Sequence, residues 1–175
     1  MKMLKKLLAV VLTGAMALTL LTACGGTAMT DKDVADAMNY VAKVRNKDVT
    51  FTPRAEEREL ARKLAALYES TPENAEVKEE ECKNILECKE GGANENNFVW
   101  WGATVTDEFG VNDDFMGDVF RTESAENGTK LTGNKKTPAK IRYMGTALCK
   151  VTEEGKPLTA RVIVVTAEPV DEPAD

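Results

Sequence analysis

Residues 158–167 read Leu-Thr-Ala-Arg-Val-Ile-Val-Val-Thr-Ala, and the unbroken apolar run Val162-Ile163-Val164-Val165 inside them decides the fold class. A strand with one wet face alternates apolar and polar residues, so four apolar residues in succession predict a central strand covered on both sides. Just upstream, Glu153-Glu154-Gly155-Lys156 reads as a turn. Before it, residues 139–151 place Ile141, Tyr143, Ala147, Cys149 and Val151 on one face, which makes the pair a closing hairpin.

Working outward, residues 98–106 also have a period of two. Val99, Trp101, Ala103 and Val105 lie on one side, Phe98, Trp100, Gly102 and Thr104 on the other. Both sides are fairly apolar, so this strand too is expected to be covered. If Trp100 were exposed it could stack on a sugar, which makes it the candidate ligand contact; a core position is the alternative.

The first part of the chain has a helical period. Thr30 with Asp33 forms a capping-box start, and Val34, Ala37, Met38, Val41 and Val44 predict a helix over about 31–45. Asn46-Lys47-Asp48 breaks it, and Val49-Thr50-Phe51 reads as a short extended linker. Thr52-Pro53 is a second helix start, with Leu60, Ala61, Leu64, Leu67 and Tyr68 on one face. Thr71-Pro72 is a third, with a thin stripe of Cys82, Ile85 and Leu86 and with Gly91-Gly92 after the end. The expected fold is therefore α+β: three N-terminal helices packed on a small antiparallel sheet of three or four strands that ends in a C-terminal hairpin. Residues 124–138 read as an exposed loop. Residues 169–175, rich in Asp, Glu and Pro, read as a tail beyond a single domain at 30–168.

The N-terminus has a different character. Lys2, Lys5 and Lys6 precede an uncharged apolar run from Leu7 to Leu21, then small residues and Cys24. As a helix this run rises only about 22 Å, short of a hydrocarbon core of about 30 Å, so it reads as a cleaved signal at residues 1–23. Leu21-Thr22-Ala23-Cys24 resembles the lipobox of bacterial lipoproteins. That resemblance implies a diacylglyceryl thioether on Cys24, fatty acyl chains in the membrane, and a mature protein held on the outer face of a bacterial cell membrane. Each buried methylene contributes about 0.8 kcal/mol, so two chains hold a protein that one holds only marginally. Residues 24–29 then form a lipidated, flexible tether that lets the folded part stand clear of the headgroups.

Removing 23 residues from 175 leaves 152, a suitable size for one core. The removed part holds three of the 23 Lys and Arg and none of the 29 Asp and Glu, so the remainder carries a formal charge of −9. Such a balance argues against nucleic acid and anionic lipid surfaces as partners. The chain has no histidine, which removes Ser-His-Asp and Cys-His catalysis and the usual zinc sites. No cofactor is expected.

Three cysteines remain besides Cys24, and export would permit one bridge among them. In a continuous helix Cys82 and Cys88 would stand about 9 Å apart along the axis, beyond the roughly 7 Å limit for a disulfide. Cys82–Cys88 is the candidate pair if the helix breaks; a bridge from either to Cys149, or no bridge, are the alternatives. Asn112, Asp114, Asp118 and Glu123 fall at ligand positions of an EF-hand-like calcium loop, with Gly117 at the sixth. Met116 occupies another ligand position and no helix precedes, so an acidic turn leading into Phe115, Val119 and Phe120 is the default.

The order of elements, the strand Tyr143-Met144-Gly145-Thr146-Ala147 and the final hairpin are similar to the CAP superfamily of secreted α-β-α sandwich proteins, some of them bacterial lipoproteins. The correspondence spans roughly residues 30–168. That family's cavity usually contains histidines with acidic partners, so no functional residue carries over to this chain. Two functions are compatible with these observations. One is a non-enzymatic lipoprotein that binds an envelope protein, glycan or small ligand. The other is a hydrolase of envelope glycans that uses two of Glu108, Asp113, Asp114 and Asp118 as its carboxylate pair.

Overall fold

The computed structural model describes residues 29–105, 118–120 and 136–171. Among them the fold is α+β, with three α-helices, a mixed four-stranded sheet and a separate two-stranded sheet.

Helix α1 (Asp31–Val44) begins on the expected capping box: the Thr30 hydroxyl accepts from the Asp33 amide, and the Asp33 carboxylate accepts from the Thr30 amide at 2.8 Å. It ends with Asn46 at φ +53°, where the amides of Asn46 and Lys47 donate to the carbonyls of Lys43 and Ala42. That is a Schellman closure, and asparagine tolerates the left-handed position it needs.

The stretch read as a linker is a strand, β1 (Thr50–Pro53), which runs parallel to a later strand. Helix α2 (Ala55–Ser70) therefore starts two residues after the Thr52-Pro53 signal. The Arg54 amide still donates to the Met144 carbonyl at 2.9 Å, so the sheet holds the backbone one residue past the proline. Thr71-Pro72 starts no helix either. The Thr71 hydroxyl donates to the Leu67 carbonyl at 2.7 Å and so closes α2, and a turn follows from the Pro72 carbonyl to the Ala75 amide. Only Val77 offers an apolar anchor in this stretch, and helix α3 (Glu79–Ile85) waits for Cys82. It closes as α1 does, with Glu87 at φ +56° and the Cys88 amide on the Lys83 carbonyl.

Strands β2 (Phe98–Val105), β4 (Ile141–Glu153) and β5 (Lys156–Ala167) complete the main sheet in the order β1-β4-β5-β2. β5 is central, and Val162, Ile163, Val164 and Val165 are fully buried, as the apolar run requires. The β4–β5 turn is the two-residue loop Glu154-Gly155, both at positive φ, matching the twist of a hairpin. Two features differ from the expectation. The sheet is mixed, because β1 joins it in parallel. The chain also continues past the hairpin, since β3 (Lys136–Pro138) and β6 (Pro169–Asp171) pair as a small antiparallel ribbon in segments read as loop and tail. Both strands are three residues long and contain proline, so neither shows a period that composition alone could reveal.

Alternation along the strands sorts the core into two faces. One carries Phe98, Trp100, Met144, Ile163 and Val165 and is covered by α1 and by a 3-10 turn at Asp118–Phe120. The other carries Val99, Ala103, Cys149, Val162 and Val164 and is covered by α2 and α3. No described helix is long and apolar enough to cross a membrane.

Candidate functional site

β1 pairs with β4 only as far as Met144, so from Gly145 onward that side of β4 has no strand beside it among the described residues. Helix α2 closes the gap at its first turn. A Cβ on Gly145 would come within 2.1 Å of the Arg58 backbone nitrogen, so no larger residue fits without moving the helix. Two charged clusters flank this contact.

The first lies on the α2 face. The Glu57 carboxylate, 1% exposed, accepts from Arg54 Nε at 2.7 Å and Nη2 at 2.5 Å, and from the Thr166 hydroxyl at 2.6 Å. The Arg54 guanidinium stacks 3.9 Å above the Tyr143 ring. Burial alone would raise the Glu57 carboxyl, but the hydrogen bonds from Arg54 and Thr166 outweigh it and hold the group below its usual range. Glu57 is thus ionised with both oxygens engaged, which suits a clamp and not a proton carrier.

The second cluster lies on the α1 face. Asp31 Oδ2 accepts from Arg58 Nε at 2.5 Å; Oδ1 accepts from the Thr146 amide at 3.2 Å and the Thr146 hydroxyl at 2.7 Å. That hydroxyl accepts in turn from Arg161 Nη1 at 3.0 Å. Arg161 is buried, and desolvation lowers its pKa while Asp31 and Asp33 raise it in part. Farther along the same face, fully buried Arg142 donates to the Val119 carbonyl and lies 4.9 Å from the Phe98 ring centroid. Burial lowers its pKa to about 10, so it remains charged at neutral pH.

Side chains also cover exposed backbone at the sheet's edge. Glu69 accepts from the Lys150 amide at 3.3 Å, as Asp31 does from Thr146. On β1, the Asn39 side chain both accepts from the Phe51 amide and donates to its carbonyl, imitating a neighbouring strand.

Cys82, Cys88 and Cys149 are free and buried in the core beneath α2 and α3. Cys82 sits inside α3 and Cys88 beyond its closing turn, where its Sγ donates to the Lys83 carbonyl at 3.6 Å. Burial raises all three thiols, Cys149 to about 11, and burial likewise raises the Tyr68 hydroxyl that is hydrogen-bonded to Cys82. These are neutral packing groups at neutral pH, not nucleophiles. Among the described residues no group of three His, Cys, Asp or Glu is placed to hold a metal ion.

Trp100 is only 5% exposed and packs in the α1-side core, so it is not the sugar platform that exposure would have made it. Of the calcium-loop residues, Asp118 opens the 3-10 turn, while Asn112, Asp114 and Glu123 lie outside the described residues, as do Glu108, Asp113 and Cys24. Nothing in the residue order announces the Asp31 and Glu57 clusters, because acids in a first helical turn and threonines in a strand read as ordinary surface. Arg161 was the one available signal: a charge beside a four-residue apolar run in a central strand needs an internal partner. No family model, no curated protein and no solved structure matches this chain.

Proposed function

We propose that this chain is a bacterial envelope lipoprotein. The signal at residues 1–23 is removed, Cys24 carries the lipid, and the domain at 30–168 is a non-enzymatic binding or interaction module on the outer face of the membrane, for an envelope protein, glycan or small ligand. The observation that carries this reading is the order of parts at the N-terminus: Lys2, Lys5 and Lys6, the uncharged run from Leu7 to Leu21, and the small residues before Cys24.

Binding is favoured over catalysis by the state of the described polar groups. Glu57 and Asp31 have their oxygens engaged by arginines and threonines, the three core thiols are neutral, and the chain has no histidine. The two carboxylates each hold a helix to the sheet. The likeness to the CAP superfamily adds no site residue, because its histidines have no counterpart here.

Metabolic labelling with a radioactive fatty acid tests the anchor. The wild-type protein should take up label and Cys24→Ser should not. Equal labelling of both, or none in the wild type, would overturn the assignment.

A further inference from the structure

The folded domain begins closer to the proposed lipid than the glycines after Cys24 suggest. Met29 packs against the α1-side core and Thr30 already caps α1, so only residues 25–28 separate Cys24 from folded chain. Whatever conformation they take, five Cα steps of at most about 3.6 Å hold Cys24 within about 18 Å of Met29. A domain of this size is roughly 38 Å across, about twice that reach. The tether therefore restricts which side of the domain can meet the bilayer.

Asp31 bonds the first turn of α1 to Thr146, which places the tether beside that point of β4. From Thr146, α1 extends over the part of the sheet that carries Met144 and Val165, and its axis reaches Val44 about 20 Å away. Among the described residues, no helix lies over the other part of the same face, from Leu148 to the hairpin turn. Alternation from Thr146 puts Leu148, Lys150 and Thr152 on this face, and Leu148 and Thr152 pair with Arg161 and Pro157 on β5. Leu148 is 40% exposed, and Lys150, Thr152 and Pro157 are exposed. In a domain of charge −9, this strip presents leucine, proline and Lys150, and the turn at its end carries Glu153, Glu154 and Lys156.

We propose that the strip around Leu148 and Lys150 is the membrane-facing surface of the domain and rests on the headgroup layer of the bilayer that holds Cys24. Apolar side chains with lysines at their margin suit that layer, which accepts small hydrophobic groups and pairs its phosphates with ammonium groups. This inference rests on lipidation at Cys24.

The test uses the lipidated protein in vesicles of the zwitterionic lipids phosphatidylethanolamine and phosphatidylcholine, with a fluorophore on Leu148→Cys or, at the far end of α1, on Val44→Cys; both positions are exposed, and the native core thiols are buried. Lipids with a nitroxide on the headgroup should quench the label at 148 at least threefold more than the label at 44. Unlabelled protein gives an independent reading, since a Glu-specific protease should cut the Glu153-Glu154 turn several-fold more slowly on vesicles than in detergent. Equal or reversed quenching, or equal cleavage, with lipid present on Cys24 by mass would overturn the orientation alone. A bare Cys24 sulfur in the same sample would overturn the lipoprotein reading and the orientation with it.

Discussion

The two charged clusters use one device on opposite faces of the sheet, with the acid buried and its paired arginine partly exposed in each, and they differ in how many elements they join. In each, an acid in the first turn of a helix accepts from a strand threonine, Glu57 from Thr166 and Asp31 from Thr146, near the positive end of the helix dipole. Glu57 is deeply buried, and its arginine comes from the cap of its own helix. Asp31 instead joins α1, α2, β4 and, through Thr146, Arg161 on β5. By its hydrogen bonds the first cluster joins α2 to β5 alone, and the second ties three layers together. Its position beside the tether makes the second the structural base of the proposed membrane-facing end.

The largest expected effect comes from stranding the buried acid. Arg54→Leu leaves Glu57 in the core without its counter-charge and should cost about 4 kcal/mol in urea unfolding at neutral pH. The pH dependence should also reverse. In the wild type the lowered Glu57 pKa contributes stability above the ordinary value of 4.5, and that contribution fades as pH falls through the folded pKa. In the variant, uncompensated burial raises the pKa, the folded state binds the proton more readily than the unfolded one, and acid should restore stability.

Gly145→Ala tests the contact between the clusters. Its Cβ would meet the Arg58 backbone at 2.1 Å, so α2 must shift and both clusters loosen; the expected loss is about 3 kcal/mol by thermal unfolding. Asp31→Asn keeps the shape but removes the charge that faces Arg58 and Arg161, with an expected loss of about 2 kcal/mol. Hydrogen exchange should distinguish it from Arg54→Leu, because the amides of α1 and Thr146 should lose protection while those of α2 keep theirs. The smallest effect belongs to Arg58→Ala. Its side chain is half-exposed, and Arg161 remains linked to Asp31 through Thr146, so the loss should be well below that of Arg54→Leu in the same denaturation series.

The sequence was legible where one physical signal acted alone. Val162–Val165 gave a buried central strand, Thr30 with Asp33 gave the start of α1, and Glu154-Gly155 gave the hairpin turn. It misled where one residue could serve two elements. Thr71 closes α2 instead of opening another helix, because its hydroxyl bonds back to the Leu67 carbonyl, and Pro53 ends a strand instead of starting α2, because pairing with β4 outweighed local preference. The clusters stayed hidden for a related reason. Glu57 and Thr166 are 109 positions apart, and Asp31 and Thr146 are 115, so neither pair leaves a local pattern.

The proposed anchor depends on the chemistry at one sulfur. Mass spectrometry of the mature N-terminus from isolated membranes should find a chain that begins at Cys24 and carries a diacylglyceryl thioether. A mature chain that begins elsewhere, or one with an unmodified Cys24, would contradict it.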